Sequence, residues 1–175
     1  MIKLVTSAFA QVSRLDPLLP LLARAIFAAV LAGYFWASAL TKFDGPFSLS
    51  VGAFAQIFPK AIEAVGYSAT QLPLWMHLFA YAGSVAEIVL PALIVLGLAT
   101  RLAALGMIGF VTLQSLTDVY GHGASAGTIG AWFDRASDSL IMDQRAFWVL
   151  LFALLVVKGA GAVSLDRFVR QWVSG

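Results

Sequence analysis

Cysteine is absent from the 175 residues. That excludes disulfides, thiol relays and metal binding through cysteine sulfur. Charge is scarce: 11 Lys and Arg face 9 Asp and Glu, 11% of the chain, where soluble domains run nearer a quarter. Histidine occurs twice, at His77 and His122, so a bis-histidine haem would need those two side chains to meet. The basic residues are scattered with no stripe, which argues against nucleic acid as a partner despite a net charge of +2. No P-loop, GxGxxG or Gly-x-Ser-x-Gly motif is present.

What fills the chain instead is apolar surface, at 61% of residues and a mean hydropathy of +0.89. A soluble domain of this size leaves too much of its surface exposed to hide that content, so lipid is the expected solvent and an all-α membrane protein the expected class. A spanning helix needs about 20 mostly apolar residues. Residues 18–40, 74–98 and 102–120 meet that length. A fourth stretch, 146–157, is short. It reaches spanning length by running through Lys158, whose ammonium can snorkel to the interface, to about residue 163. The spans are therefore expected at about 18–41, 74–99, 101–120 and 144–163.

Ahead of them, residues 1–16 read as an interfacial amphipathic helix, not a cleavable signal peptide. Leu4, Val5, Ala8, Phe9, Val12 and Leu15 fall on one arc, and Lys3, Thr6, Ser7, Gln11, Ser13 and Arg14 on the other. Asp16 and Pro17 then suit the entry to span one. Residues 17–166 form the membrane domain and 167–175 a tail.

Four spans put both ends of the chain on one side. That side carries Lys3, Arg14, Arg24, Arg101, Lys158, Arg167 and Arg170 against Asp16 and Asp166. The positive-inside rule predicts cytoplasmic termini in a bacterial inner membrane, with loops 43–73 and 121–145 facing outward. Short helices are expected around Pro59, and a flexible Gly/Ser/Ala stretch over 121–130.

Glu87 is the leading candidate for chemistry. It sits inside an apolar span, where an ionised carboxylate costs several kcal/mol unless it is paired or wetted. Pro91 lacks the N–H that would have bonded the Glu87 carbonyl. Two readings stand: a proton-accepting or ligand-binding carboxylate, or a hydrogen-bonded glutamate that orders the helices. Arg24 is one candidate partner, although it lies near the opposite end of its span; the bland alternative is snorkelling to phosphates. Lys42 is either an interface anchor or part of the same site. Gln114 and Asp118 share a helix face at i, i+4 and, with Glu87 and Lys42, would line a cavity open to the loop side; alternatively they are a solvated helix end. Gly83 before Glu87, and Gly106 and Gly109 in span three, read as small residues that let helices approach. No metal-ligand spacing is present; His77 and His122 near the loop-side surface are the weak candidates for copper or zinc. Arg145, in Asp143-Gln144-Arg145, reads as part of a cap before span four that could also touch a partner.

Several blocks carry a family resemblance: Arg24…Phe27…Ser38-Ala-Leu-Thr-Lys42, then Gly83-Ser-Val-Ala-Glu87, then Leu96-Gly-Leu-Ala-Thr-Arg101, and finally Lys158-Gly-Ala-Gly161…Ser164-Leu-Asp166. Together they make the chain, from about residue 21 to 166, resemble the DoxX family of small bacterial membrane proteins. The resemblance implies an up-and-down four-helix bundle. It also implies a link to membrane redox chemistry, since relatives include a small subunit of a thiosulfate:quinone oxidoreductase and membrane partners of oxidant-defence enzymes. Arg24, Lys42, Glu87 and Arg101 match the family's polar positions. On that basis a quinone is the expected cofactor, a periplasmic or membrane redox protein the expected partner beside the lipid bilayer, and any enzymatic role that of a partner-dependent oxidoreductase subunit. Competing readings are a transport or tolerance protein for a metal or small molecule, and a structural anchor for a periplasmic partner.

Overall fold

The computed structural model describes residues 13–174. Four helices are long and apolar enough to cross a membrane: Leu15–Leu40, Leu74–Leu96, Thr100–Gly121 and Leu140–Lys158, here spans one to four. Among the described residues there is no strand, and a lone antiparallel bridge joins Phe43 to Leu49. Each span packs against the next and span four returns to span one, so the four close an up-and-down bundle. The start of span one, the end of two, the start of three and the end of four meet at one end, the terminal side.

The bundle axis is packed with Phe27, Leu31, Phe35, Ile94, Met107, Val111, Phe152 and Leu155, all buried. Rings interlock across spans: Phe27 meets Phe152 edge-on at 5.7 Å, and Phe35 meets Phe110 and Trp148 at 6.0 and 6.1 Å. Outward, Leu40, Leu78, Leu102, Leu150 and Val157 are all more than half exposed. A soluble bundle would not tolerate that belt; in lipid it is the contact surface.

On the loop side a second cluster of Phe54, Ile62, Leu72 and Ala80 ties the short helices Val51–Ile57 and Pro59–Ala64 to the start of span two. Ser50 starts the first of them, its Oγ accepting from the Ala53 amide.

The expected extent of span four is corrected. Span four does not lengthen past Lys158. The helix stops there, with Gly159 at φ +77, and gains its length at the other end, starting at Leu140 through a π-helical turn. Lys158 is the last residue of the helix, not an interior one, and meets Asp16 at 2.6 Å. The tail is part of a helix, Leu165–Ser174, with Leu165, Phe168, Val169 and Trp172 exposed at i, i+3, i+4, i+7. The amphipathic helix expected over residues 1–16 lies outside the described residues up to residue 12, and Ser13–Leu18 forms a 3-10 turn.

Candidate functional site

Lys42 follows the end of span one, in a turn whose backbone is zipped to Ser50: the Ser50 amide donates to the Lys42 carbonyl and the Ser50 hydroxyl to that of Thr41. This turn is shielded, and Lys42 is 5% exposed. Its side chain doubles back by one helical turn. Nζ donates to the Ser38 hydroxyl at 2.9 Å, the Ser38 carbonyl at 3.3 Å and Glu87 Oε2 at 2.5 Å, so each of its three protons has an acceptor. Glu87 is 1% exposed. Its carboxylate is thus held by an ion pair joining spans one and two. Lys42 is no interface anchor.

Arg24 does not meet Glu87. Its guanidinium is at the terminal side, where Nε donates to the Ile94 carbonyl (2.8 Å), Nη2 to that of Val95 (2.7 Å), and Nη1 to those of Ala160 (3.0 Å) and Val163 (2.5 Å). Ile94 is seven residues beyond Glu87, roughly 10 Å along the helix at 1.5 Å per residue. Nor does Arg24 snorkel: it is 7% exposed. It bridges the end of span two and the chain beyond span four by donating to backbone carbonyls of both, the Ile94 carbonyl being shared with the Gly97 amide. Gly97 makes room for it; a Cβ there would lie 2.7 Å from the guanidinium carbon, and the residue stands at φ +69.

Lys42, Glu87, Gln114 and Asp118 all line one cavity of about 540 Å³ between spans one, two and three, within the range of small-molecule sites. Its body is apolar, from Phe79, Leu90, Phe110 and Leu113, and its room comes from small residues. Gly83 and Gly109 have nothing within 4 Å of where a Cβ would stand. These two glycines border empty space; they do not bring helices together. Gly106 does meet a neighbour, the Leu90 side chain at 3.0 Å.

The polar wall is braced from behind. Tyr34 Oη accepts from Gln114 Nε2 at 2.8 Å, while Gln114 Oε1 is buried with no partner. Arg145, 3% exposed, reaches from the start of span four to Asp118 Oδ2 at 2.6 Å and the Ser115 hydroxyl at 2.9 Å. Arg145 is therefore turned into the bundle, with Asp118 as its counter-ion. The roles of Ser38, Tyr34 and Arg145 were not anticipated. The i, i+4 spacing of Ser38 and Lys42 was the available signal for one of them.

The histidines have different partners. His77 Nε2 contacts the Ala69 carbonyl at 3.0 Å, with its ring against Phe54; His122, at the cavity mouth, contacts the Gln56 carbonyl at 3.0 Å. Among the described residues no group of three or more His, Cys, Asp or Glu is placed to hold a metal.

A family model, DoxX, matches residues 19–117. The match takes in Arg24, Lys42, Glu87 and Gln114, and ends before Asp118, span four and the C-terminal helix. No curated protein and no solved structure matches the chain.

Proposed function

This multi-pass membrane chain belongs to the DoxX family, and from that premise we propose that it is an accessory subunit of a quinone-linked redox system in a bacterial inner membrane, with both termini cytoplasmic. The observation that carries the reading is a buried ion pair, Lys42–Glu87, in the wall of a largely apolar cavity. An ion pair needed only to tie two helices would be sealed by packing, whereas this one borders space for a ligand. The volume suits a ring with an apolar tail. The unpartnered Gln114 Oε1 is an acceptor a ligand hydroxyl would satisfy.

A bound quinone supplies two-electron, two-proton chemistry, and in this reading a partner redox protein provides the electrons. The chain's own contribution is positional and protonic. Gln114 Oε1 accepts a hydrogen bond from a ligand hydroxyl, and the Glu87 carboxylate holds or releases a proton while Lys42 remains beside it as the counter-charge. Arg145 keeps Asp118 oriented at the cavity's loop-side end.

The test is native mass spectrometry of the protein taken gently from its own membrane. Wild type should carry a quinone-sized mass. Gly109→Leu, which fills the cavity without touching the ion pair, and the double variant Lys42→Met/Glu87→Met should both lose it. Retention in both variants would sink the reading and leave Lys42–Glu87 as a structural tie. Orientation is tested separately: single cysteines placed at Lys60 and Arg170 in this cysteine-free chain should label from opposite faces of sealed vesicles.

A second reading, an anchor for a periplasmic partner, is favoured by the exposed aromatic pair Trp132 and Phe133, the latter at φ +66 in the loop before span four. Trp132→Ser/Phe133→Ser should then release a co-purifying protein while leaving the small ligand bound.

A further inference from the structure

We infer that the cavity around Glu87 is entered sideways from the bilayer, through a gap between spans two and three, by a membrane-dissolved amphiphile whose head carries an O–H donor. The inference rests on reading the cavity as a ligand site, not on the ligand being a quinone. Spans two and three touch toward the terminal side, where a Cβ on Gly106 would lie 3.0 Å from the Leu90 methyl groups. Nearer the loops they stand apart: a Cβ on Gly83 or Gly109 would meet nothing within 4 Å. At the outer edge of this gap the cavity lining is itself uncovered. Phe79 is 45% exposed and Leu113 50%, with Ala82 and Gly109 exposed beside them.

The opening faces lipid, not water. Gly109 follows Thr100, the first residue of the span three α-helix, by roughly 14 Å at 1.5 Å per residue. That is near the middle of a hydrocarbon layer about 30 Å thick. Toward the loops the route is narrowed by the short helices. Gln56 Nε2 donates to Thr41 Oγ1 at 3.0 Å, and His122 Nε2 contacts the Gln56 carbonyl at 3.0 Å. Gly121, ending span three, abuts the second short helix, where a Cβ would lie 2.9 Å from the Pro59 ring.

The lining says what enters. A plain acyl chain would leave Gln114 Oε1 buried without a partner and set the Lys42–Glu87 pair against hydrocarbon, both unfavourable. A head with a hydroxyl gives the Gln114 oxygen its hydrogen bond. Phe79, Leu90 and Phe110 supply an apolar bed beside it. A cavity of about 540 Å³ encloses a drug-sized body, not a long aliphatic chain as well, so the chain leaves through the gap into lipid. A quinol meets this description.

The experiment uses the full-length protein in vesicles of phosphatidylglycerol and phosphatidylethanolamine, with photolabelled peptides mapped by mass spectrometry. The probes are a long-chain aliphatic diazirine alcohol, the matching diazirine hydrocarbon without the hydroxyl, and a charged, water-soluble diazirine. The alcohol should label Glu87 as well as the exposed Leu102 and Leu150. The hydrocarbon should label Leu102 and Leu150 but Glu87 far less. The water-soluble probe should reach Lys60, exposed on a loop-side helix, and not Glu87. Ala82→Trp/Leu113→Trp, which covers the gap at two exposed positions, should abolish Glu87 labelling by the alcohol and leave Leu102 labelled. Glu87 labelled only from water, or by no probe, overturns the lateral route. Unchanged Glu87 labelling in Ala82→Trp/Leu113→Trp does the same, and the wild-type comparison of probes decides if that variant does not fold. Equal labelling of Glu87 by alcohol and hydrocarbon overturns the O–H donor. Glu87 labelled by the alcohol in a protein that carries no quinone-sized mass would remove the quinone reading and leave this inference standing.

Discussion

Span one carries a buried cation near each end, and the molecule satisfies them in opposite ways. Arg24, at the terminal side, has no carboxylate. It is surrounded by four backbone carbonyls from span two and from the chain beyond span four. Lys42, at the loop side, has a hydroxyl, a carbonyl and the Glu87 carboxylate. Arg24 uses a rigid fork of donors to tie the end of span two to the chain beyond span four through their carbonyls. Lys42 is a point charge matched by one opposite charge, and that pair faces a cavity. The acceptors that the arginine touches are all neutral carbonyls, which carry no proton to exchange. The lysine end contains a carboxylate with space beside it. Under the proposed function, structure-holding and chemistry are divided between two ends of one helix.

The contrast can be broken at its strongest point first. Arg24→Met removes several charge-assisted hydrogen bonds, each worth roughly 1.5–3 kcal/mol and not simply additive, and leaves buried carbonyls orphaned. A loss on the order of 5 kcal/mol is expected, seen as a collapsed detergent melting transition. Arg24→Lys should not rescue it, because an ammonium cannot span four carbonyls. Next comes the ion pair. Glu87→Gln or Lys42→Met alone strands a buried partner and should cost about 3–5 kcal/mol, whereas Lys42→Met/Glu87→Met should melt near wild type. If the double variant is as unstable as the singles, the pair is structural in the way Arg24 is and the comparison fails.

A smaller effect sharpens the terminal side. Asp166→Ala removes the carboxylate that caps the amides of Ala99 and Thr100 and should cost about 1–2 kcal/mol in chemical denaturation. The smallest expected effect has the opposite sign. Gly109→Ala adds a methyl group into open space and should stabilise by about 0.5–1 kcal/mol through helix propensity. A destabilised Gly109→Ala would mean that span three packs closely there and the cavity is not open.

Much of the fold was legible because spanning a bilayer is a one-dimensional requirement: a length of apolar chain. Spans one to three follow from it. The start of span four was missed because residues 140–144 include Asp143 and Gln144, which look like a loop. They join the helix because their side chains find local partners, Asp143 accepting from the Ser139 amide and Gln144 donating to the Asp138 carbonyl. The C-terminal helix was overlooked although its apolar spacing was in plain view. For the candidate site, sequence reasoning assembled Lys42, Glu87, Gln114 and Asp118 as one set, and the fold brings them to one cavity. It also attached Arg24, which the fold sends elsewhere.

What the sequence determined by itself is that four apolar helices sit in lipid and that a few charges are trapped among them, since hydropathy and span length are local properties. Which acceptor each charge meets was decided by tertiary structure. Arg24 finds Ala160 and Val163, 136 and 139 residues away, because span four stops at Lys158 and the chain folds back over the bundle end. Glu87 finds Lys42 because that side chain turns back along its own helix. Gly83 and Gly109 border a void for the same reason: whether a missing side chain admits a neighbour or leaves a space depends on how far apart the packed helices stand.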